Sequence, residues 1–279
     1  YQVIANNKDF TITPRFFFNN DLLLQTEYRQ VEKASEHITD FSIKKLDKIS
    51  KSHFFSNTRI DLSDDSFFSD VEVNFEKTSN DTYLKSNNIK SDTRDNVSQS
   101  LLNSYVKYNV YNENFKFFAE VATFEDLSTE KDSDKFQYVF PNFTFSKLLD
   151  TKNDLKGNLD YTISGSNIKK DTNTDEKFLI NDLNYTSNSF FSKIGTISNF
   201  NLLFRNAIKE GNKSDKYQDE TESDNYGNLI FSSSLPLSKK TEDYVSSLIP
   251  KLSVRFSPNK SENLKNLDRN INNTNIFSN

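Results

Sequence analysis

Between Asp70 and Glu76 every second residue is apolar: Val71, Val73 and Phe75 alternate with Asp70, Glu72, Asn74 and Glu76. Side chains of an extended strand point to opposite faces in turn, so this pattern builds a strand with one wet and one apolar face. The same pattern recurs along the chain. Phe10–Phe18 sorts Phe10, Ile12, Pro14, Phe16 and Phe18 onto one face and Thr11, Thr13 and Arg15 onto the other. Asn19-Asn20-Asp21 offers a tight turn, because Asn and Asp tolerate left-handed backbone. Leu22–Gln30 returns with Leu22, Leu24, Thr26 and Tyr28 opposed to Leu23, Gln25, Glu27 and Arg29, which completes a hairpin. Tyr105–Tyr111 and Phe115–Phe124 form a second hairpin about Asn112-Glu113-Asn114. Further strands are expected at Phe136–Ser146, Leu159–Ser164, Phe178–Tyr185, Lys193–Arg205, Asn228–Leu235 and Lys251–Ser257. With weaker stretches included, the expectation is roughly a dozen strands. Val31–Leu46 is the one helical candidate, with a poor pattern and no evident cap.

Composition decides what kind of sheet this is. Only 34% of the 279 residues are hydrophobic, 27% are charged, and the mean hydropathy is -0.74. A water-soluble domain of this length carries more core-forming residues. Yet the chain holds 26 Phe and 12 Tyr, and disordered segments are poor in aromatics. A membrane barrel reconciles the two, because its lumen and loops are wet and only alternate strand residues need be apolar. Short turns at 19–21 and 112–114 contrast with polar links at 77–98, 125–135, 165–177 and 209–226. That asymmetry belongs to outer-membrane barrels, with short turns on one side and long loops on the other. Residues 258–279 read as the start of another external loop. A water-soluble β-sandwich shows the same alternation with shorter, more even loops.

Few residues offer bond-making chemistry. The net charge is -5, so no global positive field recruits nucleic acid. Cysteine is absent, which excludes disulfides and thiolate metal sites within this sequence. His37 and His53 stand in no catalytic motif and read as strand-end or loop residues. No nucleophile elbow, phosphate-binding glycine loop or zinc-protease pair occurs. Asp61, Asp64, Asp65 and Asp70 form an acidic cluster whose spacing does not match an EF-hand, so they read as solvated turn residues rather than a calcium site. The Phe groups at 16–18, 54–55, 67–68, 117–118 and 190–191 read as interfacial girdles at strand ends rather than a stacking surface. Gly157, Gly165, Gly195, Gly211 and Gly227 are scattered as bends or turns. The expectation is therefore no catalytic residue, no cofactor and no metal.

Several strings add a resemblance. Asp9-Phe10-Thr11-Ile12-Thr13-Pro14-Arg15-Phe16, then Leu22–Leu24 and Glu27-Tyr28-Arg29, resemble the start of the barrel in the LptD family of lipopolysaccharide-assembly proteins. That family reads Asp-x-Thr-x-Thr-Pro, a turn, then Glu-[Tyr/Phe]-Arg. Phe124-Glu125-Asp126, Phe136-Gln137-Tyr138-Val139 with Pro141, Leu252–Phe256 with Ser257-Pro258-Asn259-Lys260, and Asn272–Ser278 are also similar, in the same order.

The resemblance implies that residues 1–279 are the N-terminal half of a 26-stranded outer-membrane barrel that inserts lipopolysaccharide into the outer leaflet. A periplasmic jelly-roll domain would precede it and further strands would follow. The implied partners are lipopolysaccharide, an LptE-like plug lipoprotein in the lumen, and the periplasmic bridge protein that reaches the jelly-roll domain. Many members couple their domains by disulfides, and the absence of Cys sets this sequence apart from them. The expected fold is thus all-β, a partial antiparallel outer-membrane barrel, and the expected work is lipid translocation. Another outer-membrane barrel (porin or receptor) and a secreted β-rich adhesin are the alternatives.

Alternation assigns Thr13, Arg15, Gln25, Glu27 and Arg29 to the lumen, and Ile12, Phe16, Leu22, Leu24 and Tyr28 to lipid. Pro14 removes an N–H from the ladder and is tolerated only at edges or bulges. In the family, prolines at this place weaken pairing beside the lateral gate, so Pro14 is the candidate gate residue.

Overall fold

The computed structural model describes residues 1–18, 21–45, 50–94, 98–130, 134–150, 156–170 and 173–258. The chain is all-β. Its strands are β1 (Gln2–Ala5), β2 (Lys8–Phe16), β3 (Leu22–Glu32), β4 (Ser35–Lys45), β5 (Ser50–Asp61) and β6 (Phe68–Thr78). A single-turn helix α1 (Tyr83–Ser86) precedes β7 (Leu101–Tyr111), β8 (Phe115–Asp126), β9 (Phe136–Leu149), β10 (Gly157–Lys170) and β11 (Thr174–Ser187). Then come β12 (Phe190–Phe191), β13 (Ile197–Asn212), β14 (Glu222–Ser234), β15 (Leu237–Lys240), β16 (Val245–Leu248) and β17 (Lys251–Phe256). One 15-stranded sheet follows chain order from β1 to β11 and on through β13, β14 and β17, with β12 pairing β13. The order is an open path whose end strands are β1 and β17, and β15–β16 is a separate hairpin.

Three sequence expectations are corrected. Val31–Lys45 is not helical: it ends β3 and forms β4, paired on both sides. Its apolar residues follow a period of two, with Phe41 and Ile43 opposed to Asp40 and Ser42, and Leu46 lies outside the described residues. The link expected at 165–177 is mostly strand and the one at 209–226 is half strand, because β10 runs to Lys170, β11 starts at Thr174, β13 runs to Asn212 and β14 starts at Glu222. Their polarity concealed them. Polar residues hold a ladder well when they meet across it, as Lys177 Nζ meets Glu210 Oε1 at 3.1 Å and Thr221 Oγ1 donates to Glu210 Oε2 at 2.9 Å. The expected strand start at Lys193 falls in a turn, where Gly195 takes a positive φ of 87°.

The expected hairpins are present. Phe17 N donates to Asp21 O at 3.0 Å, closing the first turn; Asn19 and Asn20 lie outside the described residues, as do 259–279. In the second, Asn112 Oδ1 accepts from the N–H groups of Asn114 (2.8 Å) and Phe115 (3.0 Å), the usual service of Asn in a turn.

The chain divides into two compact units. The first comprises Tyr1–Ser146, Ser164–Leu179 and Ile208–Glu222. Its core is Leu23, Phe55, Tyr83, Leu84, Ile89, Leu102 and Leu127, with a smaller cluster of Tyr105, Ala122 and Val139. Gly165 in β10 belongs to this unit, and a Cβ there would come within 2.7 Å of the Phe143 ring, so glycine admits the ring against the backbone. The second unit comprises Lys147–Ile163, Ile180–Ala207 and Ser223–Asn279. Among its described residues the buried side chains are polar: Ser187, Ser198 and Asn228. Polar pairs tie its strands, including a two-pronged Arg205–Asp182 contact at 2.6 and 2.7 Å.

Candidate functional site

Register, not proximity in sequence, assembles the polar face of the first unit. Thr13 stands opposite Gln25, Arg15 opposite Leu23 and Asp9 opposite Arg29. Gln25 pairs with Ser42, Glu27 with Asp40 and Leu23 with Lys44; Ser42 then pairs with His53 and Asp40 with Phe55. Phe55 pairs with Glu76, and Asn57 with Asn74. All these residues therefore share one face. The opposite face carries Ile12, Phe16, Leu22, Phe41, Ile43, Phe54, Val73, Phe75, Val106 and Val121, all exposed. The sheet hides its polar side and shows its apolar side, the reverse of a water-soluble sheet.

Residues 79–94 fold as a strap onto this polar face. Tyr83, Leu84 and Ile89 are buried against Leu23, Phe55 and Leu102, and each buried side chain contributes about 1.5–3 kcal/mol. Arg15 Nη1 donates to Asn87 O (3.0 Å) and Asn88 O (3.4 Å), while Gln25 Nε2 donates to Lys90 O (2.9 Å). Arg94 bonds Glu76 at 3.1 Å with both side chains buried, and Arg94 also donates to Leu101 O. At the far end Lys135 Nζ bridges Asp81 Oδ1 (2.7 Å) and Glu125 Oε1 (3.1 Å).

Beneath the strap lies a buried relay. Tyr83 OH meets Ser42 Oγ at 2.6 Å, Ser42 Oγ meets His53 Nδ1 at 2.6 Å, and His53 Nε2 meets Asp40 Oδ1 at 3.2 Å. Gln25 Nε2 donates to Asp40 Oδ2 at 2.8 Å, and Arg15 Nη2 donates to Gln25 Oε1 at 3.0 Å. One proton assignment satisfies the whole relay: Tyr83 donates to Ser42, Ser42 to neutral His53, and His53 to Asp40. Asp40, His53 and Ser42 have the connectivity of a nucleophile, base and acid set. Here, however, all three are at most 1% exposed and Tyr83 occupies the hydroxyl's free side, so the relay fastens the strap. His53 is thus a mid-strand core residue, which corrects its reading as a loop or strand-end residue. Its partners Ser42 and Asp40 lie on β4, the stretch without a helical period that the sequence offers as a helix.

The other candidates resolve individually. His37 lies in β4 between Thr58 Oγ1 and Thr39 Oγ1, each at 2.7 Å. Asp61 and Asp64 accept turn N–H groups from Ser63, Ser66 and Phe67. The Phe54–Phe55 pair is not a strand-end girdle: alternation sends Phe55 into the core and Phe54 to the apolar face. Phe16, Phe18, Phe68 and Phe191 do stand exposed at or beyond strand ends.

Pro14 is decided by hydrogen-bond parity. Val31 N donates to Asn7 O at 2.9 Å and Phe17 N to Asp21 O at 3.0 Å, which bracket β2–β3. Bonded pairs alternate with non-bonded pairs in an antiparallel ladder, so odd residues of β2 bond to β3 and Pro14↔Leu24 is a non-bonded pair. The register is unbroken from Lys8↔Gln30 to Phe16↔Leu22. Proline therefore takes nothing from the β2–β3 hairpin, correcting the expectation of a bond lost there. Its missing N–H faces the other side, where β1 pairs only with residues 8–10.

Electrostatics sharpen the strap's role. Burial pushes the Tyr83 phenol up, against the lowering effect of its bond to Ser42. Burial opposes charge on Lys135, yet its bonds to Asp81 and Glu125 outweigh that and raise it. A group whose folded pKa is raised stabilises fully below its unfolded value and loses that contribution as pH rises through the folded value. The strap is therefore expected to weaken only above the ordinary tyrosine and lysine ranges. Stability followed by near-ultraviolet circular dichroism should fall less steeply with alkaline pH in Tyr83→Phe; an equal or steeper slope would contradict this.

No protein-family model matches the chain, and no curated protein matches it.

Proposed function

We propose that this chain forms part of an outer-membrane β-barrel of the lipopolysaccharide-assembly type, conducting lipid along its polar face and out beside β2. The observation that carries the reading is the exposed apolar face of β2–β8, backed by a face of buried polar residues. Such a sheet is costly in water and favoured in a bilayer. The lipopolysaccharide assignment itself rests on the opening strands, from Asp9 to Arg29. Lipopolysaccharide, a plug lipoprotein and a periplasmic bridge protein are the partners this reading carries.

Single cysteines in the full-length protein in native membranes test the orientation. A lipid-soluble maleimide should label positions 12, 16 and 22, while 13 and 27 should react with a water-soluble reagent. A photo-crosslinker at Thr13 should capture lipopolysaccharide. Labelling without capture would leave a porin or receptor. Recovery outside the membrane would favour an adhesin.

Pro14→Ala supplies an edge donor where the barrel would close. The β2–β3 hairpin should be unaffected, while the seam gains about 0.5–1.5 kcal/mol from one further bond. Surface lipopolysaccharide should appear more slowly at normal barrel abundance. Normal delivery would remove the gate role from Pro14.

A further inference from the structure

We propose that Arg15 is a receptor for a phosphate group of an anionic amphiphile, with the carbonyls of Asn87 and Asn88 holding its place in the unliganded protein. Arg29 faces Asp9 and Glu27, Arg59 faces Asp70, Arg94 faces Glu76, and Arg205 faces Asp182, while Arg255 of the second unit donates to Asn228 Oδ1 and Tyr226 OH. Arg15, alone among the described arginines of the first unit, meets neutral oxygens only: Asn87 O, Asn88 O and Gln25 Oε1. Among the described residues no carboxylate lies within salt-bridge distance of it. A partly buried guanidinium held only by dipoles retains most of its capacity for an anion, and its planar fork matches two phosphate oxygens.

The surroundings reinforce the charge. Arg15 opposes Leu23, Leu23 opposes Lys44, and Lys44 opposes Lys51, so one cross-strand row carries three cations. Asp21 is the single carboxylate paired within that row among the described residues, 3.3 Å from Lys44. Like charges facing each other across strands are destabilising, and an anion relieves them. Arg15 also adjoins Pro14 on the strand whose outer edge is open beyond residue 10. An anion arriving there competes directly with the strap's main chain. Binding at Arg15 therefore frees Asn87 and Asn88, coupling headgroup capture to loosening of the strap beside the open edge. The site deepens the proposed function and rests on it for the amphiphile's identity alone.

The test uses the detergent-solubilised chain with diphosphoryl lipid A, its dephosphorylated form, phosphatidylglycerol and inorganic phosphate as probes. Hydrogen bonds to charged groups are strong enough that Arg15→Gln should weaken diphosphoryl lipid A binding about tenfold or more. Arg15→Lys should recover part of the loss, and Arg59→Gln should bind as the unmodified chain does. Dephosphorylated lipid A should bind both the unmodified chain and Arg15→Gln equally and weakly. In the unmodified chain, the lipid should also speed amide exchange at Asn88 and Ile89, whose N–H groups bond Lys85 O and Leu84 O. That readout needs no variant. Competition by inorganic phosphate would identify a free-phosphate source, and equal binding of phosphatidylglycerol a general anionic-lipid source; either keeps the site. Arg15-dependent binding of phosphate without binding of lipid A would keep the site and remove the lipopolysaccharide reading. Lipid A binding indifferent to Arg15, or unchanged exchange at saturation, would overturn the proposal.

Discussion

Tyr83→Ala is expected to lower the stability of the first unit by about 3–5 kcal/mol, the range for truncating a buried aromatic. The ring has no exposed surface and sits among Leu23, Phe55, Leu84 and Leu102. Its hydroxyl ties the strap to the Ser42–His53–Asp40 relay. Tyr83→Phe keeps the ring and loses one buried bond, so it should cost about 1–3 kcal/mol. Denaturant unfolding in detergent, read by tyrosine fluorescence, measures both. Tryptic cleavage at Lys85 and Lys90 should accelerate in Tyr83→Ala before the sheet unfolds, because the strap loses its anchor while the ladders remain. Concerted loss of strap and sheet protection would mean that the strap is no separable element. A cost below that of Tyr83→Phe would show that the ring is not core.

Arg94→Met is the second large effect, expected at about 3–5 kcal/mol, the cost of stranding one member of a buried ion pair. Glu76 is buried and, among the described residues, its carboxylate would keep Asn103 N at 3.1 Å and a long contact to Asn74 Nδ2. Arg94 also lies 5.0 Å over the Phe55 ring, so Met preserves apolar contact while removing charge. The double variant Arg94→Met/Glu76→Gln should be more stable than Arg94→Met alone, because the neutral amide still accepts from Asn103 without an unpaired charge. A double-mutant cycle gives the coupling energy. A double variant less stable than the single would show that Glu76 is not held as the anion.

These two sites show why the strap was invisible before folding. Its residues from Ser79 to Arg94 are mostly polar and without periodicity, and they resemble any solvated link. What makes them structure is a set of partners supplied by five strands: Arg15, Gln25, Ser42, Glu76 and Phe55 come from β2, β3, β4, β6 and β5. No spacing within 79–94 encodes that meeting. The same holds for His53, whose chemistry depends on Ser42 across the ladder and on Asp40 two residues away from it.

The sequence by itself determined the all-β class, the hairpins at β2–β3 and β7–β8, and which residues of β2, β3 and β6 share a face. Those properties follow from local period-two patterning and from turn residues that act on their own backbone. Tertiary structure decided how far the strands run, since the polar ends of β10, β11, β13 and β14 survive on cross-strand partners that local polarity hides. It also decided what covers the polar face and which way Pro14 turns its missing donor. Both depend on register between strands, and register is a relation between distant residues that no single stretch of chain carries.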